Sequence, residues 1–281
     1  MENNNSRRSF LKLSGTLAAG AFLLKDANAT DLFKKRTVGI QLYTVRTEML
    51  NDAAGTLKLL AGMGYKEIES AGSQKGNYYG LKPAEIKKVT TDLGIKLVSG
   101  HVHIGSNWQK MVDEAAEAGQ AYLVCSVLPS QGQTVDNYKK CAEIFNKAAE
   151  DCKKVNITFG YHNHAEEYEK ENGQVLYDVL LDNTDPKLVQ MELDLGWVIA
   201  AGLDPQHYFD KYPGRFPLWH LKDMSKTTKQ STEFGKGDVN IAAMFAGAKK
   251  SGMKHFFIEQ EEYTSTALES AKYDIDYVNK L

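Results

Sequence analysis

Polar side chains recur two residues apart where short apolar runs end. The pairs are Gln41 with Tyr43, His101 with His103, His162 with His164, Glu192 with Asp194, His220 with Lys222 and Glu259 with Glu261; Glu69 stands alone. In an extended chain, residues i and i+2 share a face. Each pair therefore projects to one side, and Val102, Leu193 and Leu221, which stand between the members of three of the pairs, are apolar and turn to the other. Any one of these groups, Glu69 or His101 for instance, reads equally as a satisfied interior polar residue. The set reads differently, because gathering carboxylates and imidazoles in one apolar interior is costly without a ligand or cation to compensate. Two imidazoles with a carboxylate from each of two further strands form a mixed nitrogen and oxygen set. Such a set suits one divalent ion, Zn, Mn, Co or Fe more than Mg.

The segments holding these residues read as strands: Thr37–Tyr43, Lys66–Ser70, Lys96–His101, Tyr122–Leu128, Thr158–His162, Val189–Asp194, Phe216–Lys222 and Phe256–Glu259. Helical patterns separate them at Asp52–Met63, Pro83–Leu93, Trp108–Ala118, Val135–Val155, Val175–Leu181, Pro205–Lys211, Ile241–Ser251 and Ala267–Leu281. Pro83 in a first turn and Gly64 and Gly94 after last turns mark helix boundaries. Strands alternating with helices imply a parallel sheet. Eight such units in about 250 residues predict a (β/α)₈ TIM barrel, α/β in class and a single domain. An open doubly wound sheet is the alternative, but no G-x-G-x-x-G follows the first strand. In a barrel, the C-terminal strand ends build the active site, and those ends are where the polar pairs fall.

Residues 1–29 read as an export signal and residues 30–281 as the barrel. Ser6-Arg7-Arg8-Ser9-Phe10-Leu11-Lys12 precedes an apolar stretch from Leu13 to Leu24 and an Ala27-Asn28-Ala29 cleavage pattern. The segment resembles a twin-arginine (Tat) signal, which implies a periplasmic or otherwise exported protein that crosses already folded, often with a cofactor loaded. The apolar run falls short of the roughly 20 residues that span a bilayer, and no cysteine follows it for lipid attachment. No stable membrane anchor is expected.

Hydrophobic residues at 42% and charged residues at 25% are ordinary for a globular chain. Removing residues 1–29 deletes four cations (Arg7, Arg8, Lys12, Lys25) against two anions (Glu2, Asp26), taking the net charge from −2 to −4. A surface of that sign repels phosphate backbones, so a nucleic-acid partner is not expected. Cys125, Cys141 and Cys152 have no C-x-x-C spacing and suggest neither a disulfide framework nor a thiolate zinc site.

The fragments GIQLYTVR (39–46), YHNH (161–164), ELDLGWVIAAGLDP (192–205), WHLKD (219–223), GKGDVN (235–240) and IEQEEY (258–263) occur in this order. With them the chain resembles the xylose-isomerase-like TIM-barrel superfamily of sugar isomerases and epimerases, which also includes inosose dehydratase and endonuclease IV. The resemblance implies one divalent metal held by Glu, Asp, His and Glu from strands five to eight. Asp194, His220 and Glu259 match three of those positions. The fourth differs: His162 stands where well-studied epimerases have a glutamate, and a metal-ligated imidazole has no free lone pair to act as a base. His164, two residues on, is the alternative strand-five ligand.

The chemistry so implied is proton abstraction next to a carbonyl through an enediolate. Glu259 is expected as ligand and base, Lys222 as a clamp on a substrate oxygen, and His103 and His164 as proton-moving groups. Glu69, Trp197, Tyr43 and His101 are expected substrate contacts. His207 and His255 are expected to be structural, and Gly235-Lys236-Gly237 a simple loop. The expected partner is a small carbohydrate, with a homo-oligomer possible. Three functions follow: an isomerase or epimerase, a lyase or hydrolase of 3-oxo-glycosides, or a silent sugar-binding barrel.

Overall fold

The computed structural model describes residues 37–281; the export signal expected over residues 1–29 lies outside them. Eight strands close a parallel barrel: β1 (Gly39–Gln41), β2 (Glu67–Ser70), β3 (Lys96–Val102), β4 (Tyr122–Cys125), β5 (Thr158–His162), β6 (Val189–Asp194), β7 (Leu218–Leu221) and β8 (His255–Ile258). Each pairs with its sequence neighbours, and Gly39 opposite Phe257 joins β1 to β8. Glycine is required at that seam. A Cβ on Gly39 would lie 2.6 Å from the Phe257 ring and 2.7 Å from the Phe256 carbonyl oxygen. The expected (β/α)₈ fold is therefore the observed one.

Helices stop and start where local chemistry directs. The Asp52 carboxylate accepts the Gly55 N–H at the head of the helix Ala53–Met63, and Gly64 ends it at φ 113°. Thr266 and Glu269 form a capping box at the head of Ala267–Val278. Between strands and helices lies a continuous apolar shell that includes Val102, Leu193 and Leu221. A second, small cluster of Val98, Tyr122, Val124, Leu218 and Phe257 is separate from that shell. Leu218 and Phe257 stand at i−2 from His220 and Glu259, on the same strand faces, so this cluster plugs the barrel beneath the polar residues.

Several strands end earlier than the apolar runs suggested. β1 stops at Gln41 because its side chain accepts the Tyr43 N–H at 3.0 Å and turns Leu42–Val45 into a 3₁₀ turn. Tyr43 thereby leaves the strand and is 39% exposed. The register of β2 against β3 shifts between Ile68 and Glu69, which sets Glu69 opposite Ser99. The expected Ile241–Ser251 helix is broken by a 3₁₀ turn at Phe245–Gly247. A short helix at Leu195–Ala200, not expected from the sequence, follows β6 directly. Among the described residues, no helix is long and apolar enough to cross a membrane.

Candidate metal centre

Asp194 ends β6 and begins the next helix at once, and this double position fixes its carboxylate. Oδ1 caps Leu195–Ala200 by accepting the Trp197 N–H at 2.9 Å, while the Asp194 N–H donates to Asn163 Oδ1 at 3.0 Å. Oδ2 is left buried with no hydrogen bond. It lies 3.9 Å from His162 Nε2 and 3.9 Å from His220 Nδ1. His220 Nδ1 is in turn 2.8 Å from Glu259 Oε2. One donor atom from each of His162, Asp194, His220 and Glu259 falls within 4.8 Å of all the others, and all four residues are buried. Two carboxylates and two imidazoles converging in this way suit a divalent ion of the zinc class.

Lys222, two residues past His220, is 1% exposed and sits beside this group. Its Nζ lies 3.2 Å from Asp194 Oδ2 and 3.1 Å from Glu259 Oε2, and donates to Glu261 Oε1 at 2.5 Å. Burial opposes its charge, but the three carboxylates outweigh it and hold the ammonium well above the ordinary lysine range. Burial likewise favours protonated Glu259, yet Lys222 and His220 hold its carboxyl well below the usual range. Glu259 is therefore an anion inside the barrel.

Below lies a second layer. Glu69 Oε2 is 2.6 Å from His220 Nε2 and accepts from the Gln41 amide at 2.8 Å; its Oε1 accepts from the Ser99 hydroxyl. Glu192 Oε2 is 2.6 Å from His101 Nε2 and 3.2 Å from both His162 Nδ1 and His220 Nε2. Burial opposes a charge on His101, but Glu69 and Glu192 raise its pKa to about 10. Burial and the facing imidazoles hold His162 well below the ordinary histidine value, so it is neutral. A neutral imidazole is the form that can coordinate an ion.

A cavity of about 770 Å³ opens over the group and is lined by Tyr43, His101, His103, His162, His164, Glu259 and Glu261, together with Ala71–Gln74, Gly76 and Asn77. His103 is exposed there and His164 is half-buried, its ring 5.0 Å from that of His162. Arg46, which the sequence did not single out, lies 4.5 Å over the Tyr43 ring and donates to the Tyr263 hydroxyl.

Two expected substrate contacts are placed elsewhere. Glu69 is completely enclosed with both oxygens engaged, because the β2 register shift turns it onto Ser99. Trp197 does not line the cavity. Its helix follows Asp194 so closely that the ring packs 4.7 Å from Lys222 Nζ. Gly235 and Gly237 lie in a loop whose amides already hold an anion. Asp223 accepts from the N–H groups of Gly235, Gly237 and Val239 at 2.8–3.0 Å. His255 pairs with Glu67 at the opposite end of the barrel, at 2.8 Å. Glu192 and Glu261 had only their period-two position to signal them, and Ser99 had no signal at all.

Residues 57–281 match the family described as xylose isomerase-like TIM barrel. A solved sugar phosphate isomerase/epimerase from Parabacteroides distasonis is 29% identical, covers 88% of this chain and 98% of its own, and superposes with a TM-score of 0.78. An inosose dehydratase from Geobacillus kaustophilus is 21% identical over 56% of this chain, and the chain spans 59% of that relative's length. The solved IolI protein with a bound zinc atom is 13% identical, covers 87% of this chain and 98% of its own with a TM-score of 0.70, and shares the fold alone.

Proposed function

The chain belongs to the xylose isomerase-like TIM-barrel family, and from that membership we propose that it isomerises or epimerises a small carbohydrate with the help of one divalent ion. The observation that carries this reading is the convergence of His162, Asp194, His220 and Glu259 beneath an open cavity. A divalent ion held by these four residues would supply Lewis acidity for the negative charge that develops next to a substrate carbonyl. Glu259, ionised and facing the cavity, takes the proton from the carbon next to the carbonyl. Lys222 keeps that carboxylate anionic and orients it through the 3.1 Å contact. His164 and His103 border the same cavity and return a proton to the substrate.

One observation favours a second reading, elimination from a 3-oxo-glycoside or its hydrolysis. Strand five offers His162, whose nitrogens face Asp194 and Glu192, so the symmetrical pair of carboxylate bases used for epimerisation is missing. Elimination needs one base and one acid. We also propose that residues 1–29 direct export by a twin-arginine route, with the mature chain beginning near Thr30. Product analysis decides between the chemistries: free sugars incubated with the Zn²⁺- or Mn²⁺-loaded protein should yield isomers of equal mass. Cleavage of 3-oxo-glycosides in place of isomerisation would support the second reading, and binding without turnover would leave a silent sugar-binding barrel.

A further inference from the structure

The strands that donate nothing to the metal centre nevertheless send their polar side chains toward it. His162 and His220 each present two nitrogens, and only one of each can face Asp194 and Glu259. The other nitrogen of each ring points down, to a carboxylate. His220 Nε2 and Glu69 Oε2 share a hydrogen bond of 2.6 Å, whereas His162 Nδ1 stands 3.2 Å from Glu192 Oε2 without one. Both carboxylates are completely buried. Glu69 is tied by Gln41, Ser99 and His101, and Glu192 by His101 through Oε2 alone, its Oε1 being unbonded.

We infer that Glu69 and Glu192 are positioning residues for the ion: Glu69 bonds the far nitrogen of His220, Glu192 faces that of His162, and together they aim His220 Nδ1 and His162 Nε2 at the seat shared with Asp194 and Glu259. The inference rests on the proposed metal-dependent reading. A carboxylate behind a ligating imidazole fixes which nitrogen carries the proton, restrains the ring and makes the ligand more basic. Gln41, Ser99 and His101, from β1 and β3, complete the floor that keeps these carboxylates in place.

The same side chains offer a rival seat. His101, His162, Glu192 and His220 also bring one donor atom each within 4.8 Å of one another. That seat would use His162 Nδ1 and His220 Nε2, the opposite edges of the same two rings. One neutral imidazole cannot ligate two cations, so the seats exclude each other. Two observations favour the upper one. It offers two carboxylates, Asp194 and Glu259, where the lower one offers Glu192 alone, and Glu192 Oε2 already holds His101 at 2.6 Å. Buried oxygens without a hydrogen bond occur at both seats, Asp194 Oδ2 in the upper and Glu192 Oε1 in the lower.

The test is Zn²⁺ affinity of the full chain, by competition with a chromophoric chelator, together with the visible absorption of the Co²⁺-loaded protein. Glu69→Gln and Glu192→Gln should each weaken Zn²⁺ binding about 10–100-fold, the usual loss when the partner of a ligating imidazole is removed. Both should also shift the Co²⁺ bands. Glu67→Gln breaks a carboxylate–histidine pair of the same kind at the far end of the barrel and should change neither. Ser99→Ala loosens Glu69 without removing its charge, and should weaken binding in the same direction but less. It also serves if Glu69→Gln fails to fold. Affinity and spectrum unchanged in the folded variants would overturn the inference while leaving the metal-dependent reading intact. Loss of binding in Glu192→Gln with full binding in Asp194→Asn would overturn it too, since the ion would then occupy the lower seat. A wild-type chain that binds no divalent ion would overturn both.

Discussion

At the ends of β5 and β6 the polar side chains keep atoms unspent, while at the ends of β1 to β3 they bond one another. Asp194 Oδ2 and His162 Nδ1 accept and donate no hydrogen bond despite full burial. Glu69, just as buried, has both oxygens engaged by Gln41, Ser99 and His220. A buried polar atom without a partner costs about 1–3 kcal/mol, and native interiors rarely retain one without a reason. The unsatisfied half is where a ligand can be received. The satisfied half is where the geometry of the receiving groups is held. One barrel thus spends similar residue types on opposite tasks, and a site built on rigid, saturated support keeps its reacting atoms in register.

The sharpest challenge to this division is Glu259→Gln. If chemistry sits on the unsatisfied half, turnover should fall about 10²–10⁴-fold, the usual contribution of a general base, with the fold unchanged by circular dichroism. Near-normal turnover would move attention to His164 or His103. Chelation comes next. Stripping the ion should abolish turnover, and restoring Zn²⁺ at 100 times its dissociation constant should add about 2.7 kcal/mol of stability, read as a rise in melting temperature. Asp194→Asn should remove most of that rise, because it replaces the unbonded oxygen.

A third measurement separates the mouth from the rest of the molecule. Asp274 lies on the last helix, where burial, followed by the charges of Glu233 and Asp223, raises its carboxyl to about 7. Its Oδ1 accepts the Phe234 N–H and its Oδ2 is unbonded. The folded state therefore holds a proton that the unfolded chain releases near pH 3.9. The stability this group supplies is complete below about pH 4 and is lost as pH rises toward 7, at up to about 1.4 kcal/mol per unit. Urea denaturation at pH 5 and 8 should show this slope in the wild type and a flatter one in Asp274→Asn, with Zn²⁺ affinity unaltered. The smallest effect belongs to Glu67→Gln. Loss of its partly exposed pair with His255 should cost no more than about 1 kcal/mol of stability. A larger loss would mean that saturated pairs at both ends of the barrel contribute more than positioning.

The number and order of the strands were legible in the chain, because alternation of apolar runs with helical periodicity is a local signal and eight such units close in one way. The period-two pairs were legible for the same reason: neighbours two apart share a face whatever the barrel later does. They pointed to His162, Asp194, His220 and Glu259 as members of the polar set. The tertiary structure decided how the set divides. Which edge of His220 meets Glu259 and which meets Glu69 depends on a residue 151 positions away. The Glu69–Ser99 bond depends on a register shift between β2 and β3 that leaves no mark in either segment. Tyr43 leaves its strand because a neighbouring amide caps the turn, and Trp197 packs on Lys222 because Asp194 starts a helix at the strand's last residue. Sequence periodicity reports the face on which a side chain stands. Which atoms that side chain satisfies is settled only when strands distant in the chain close side by side.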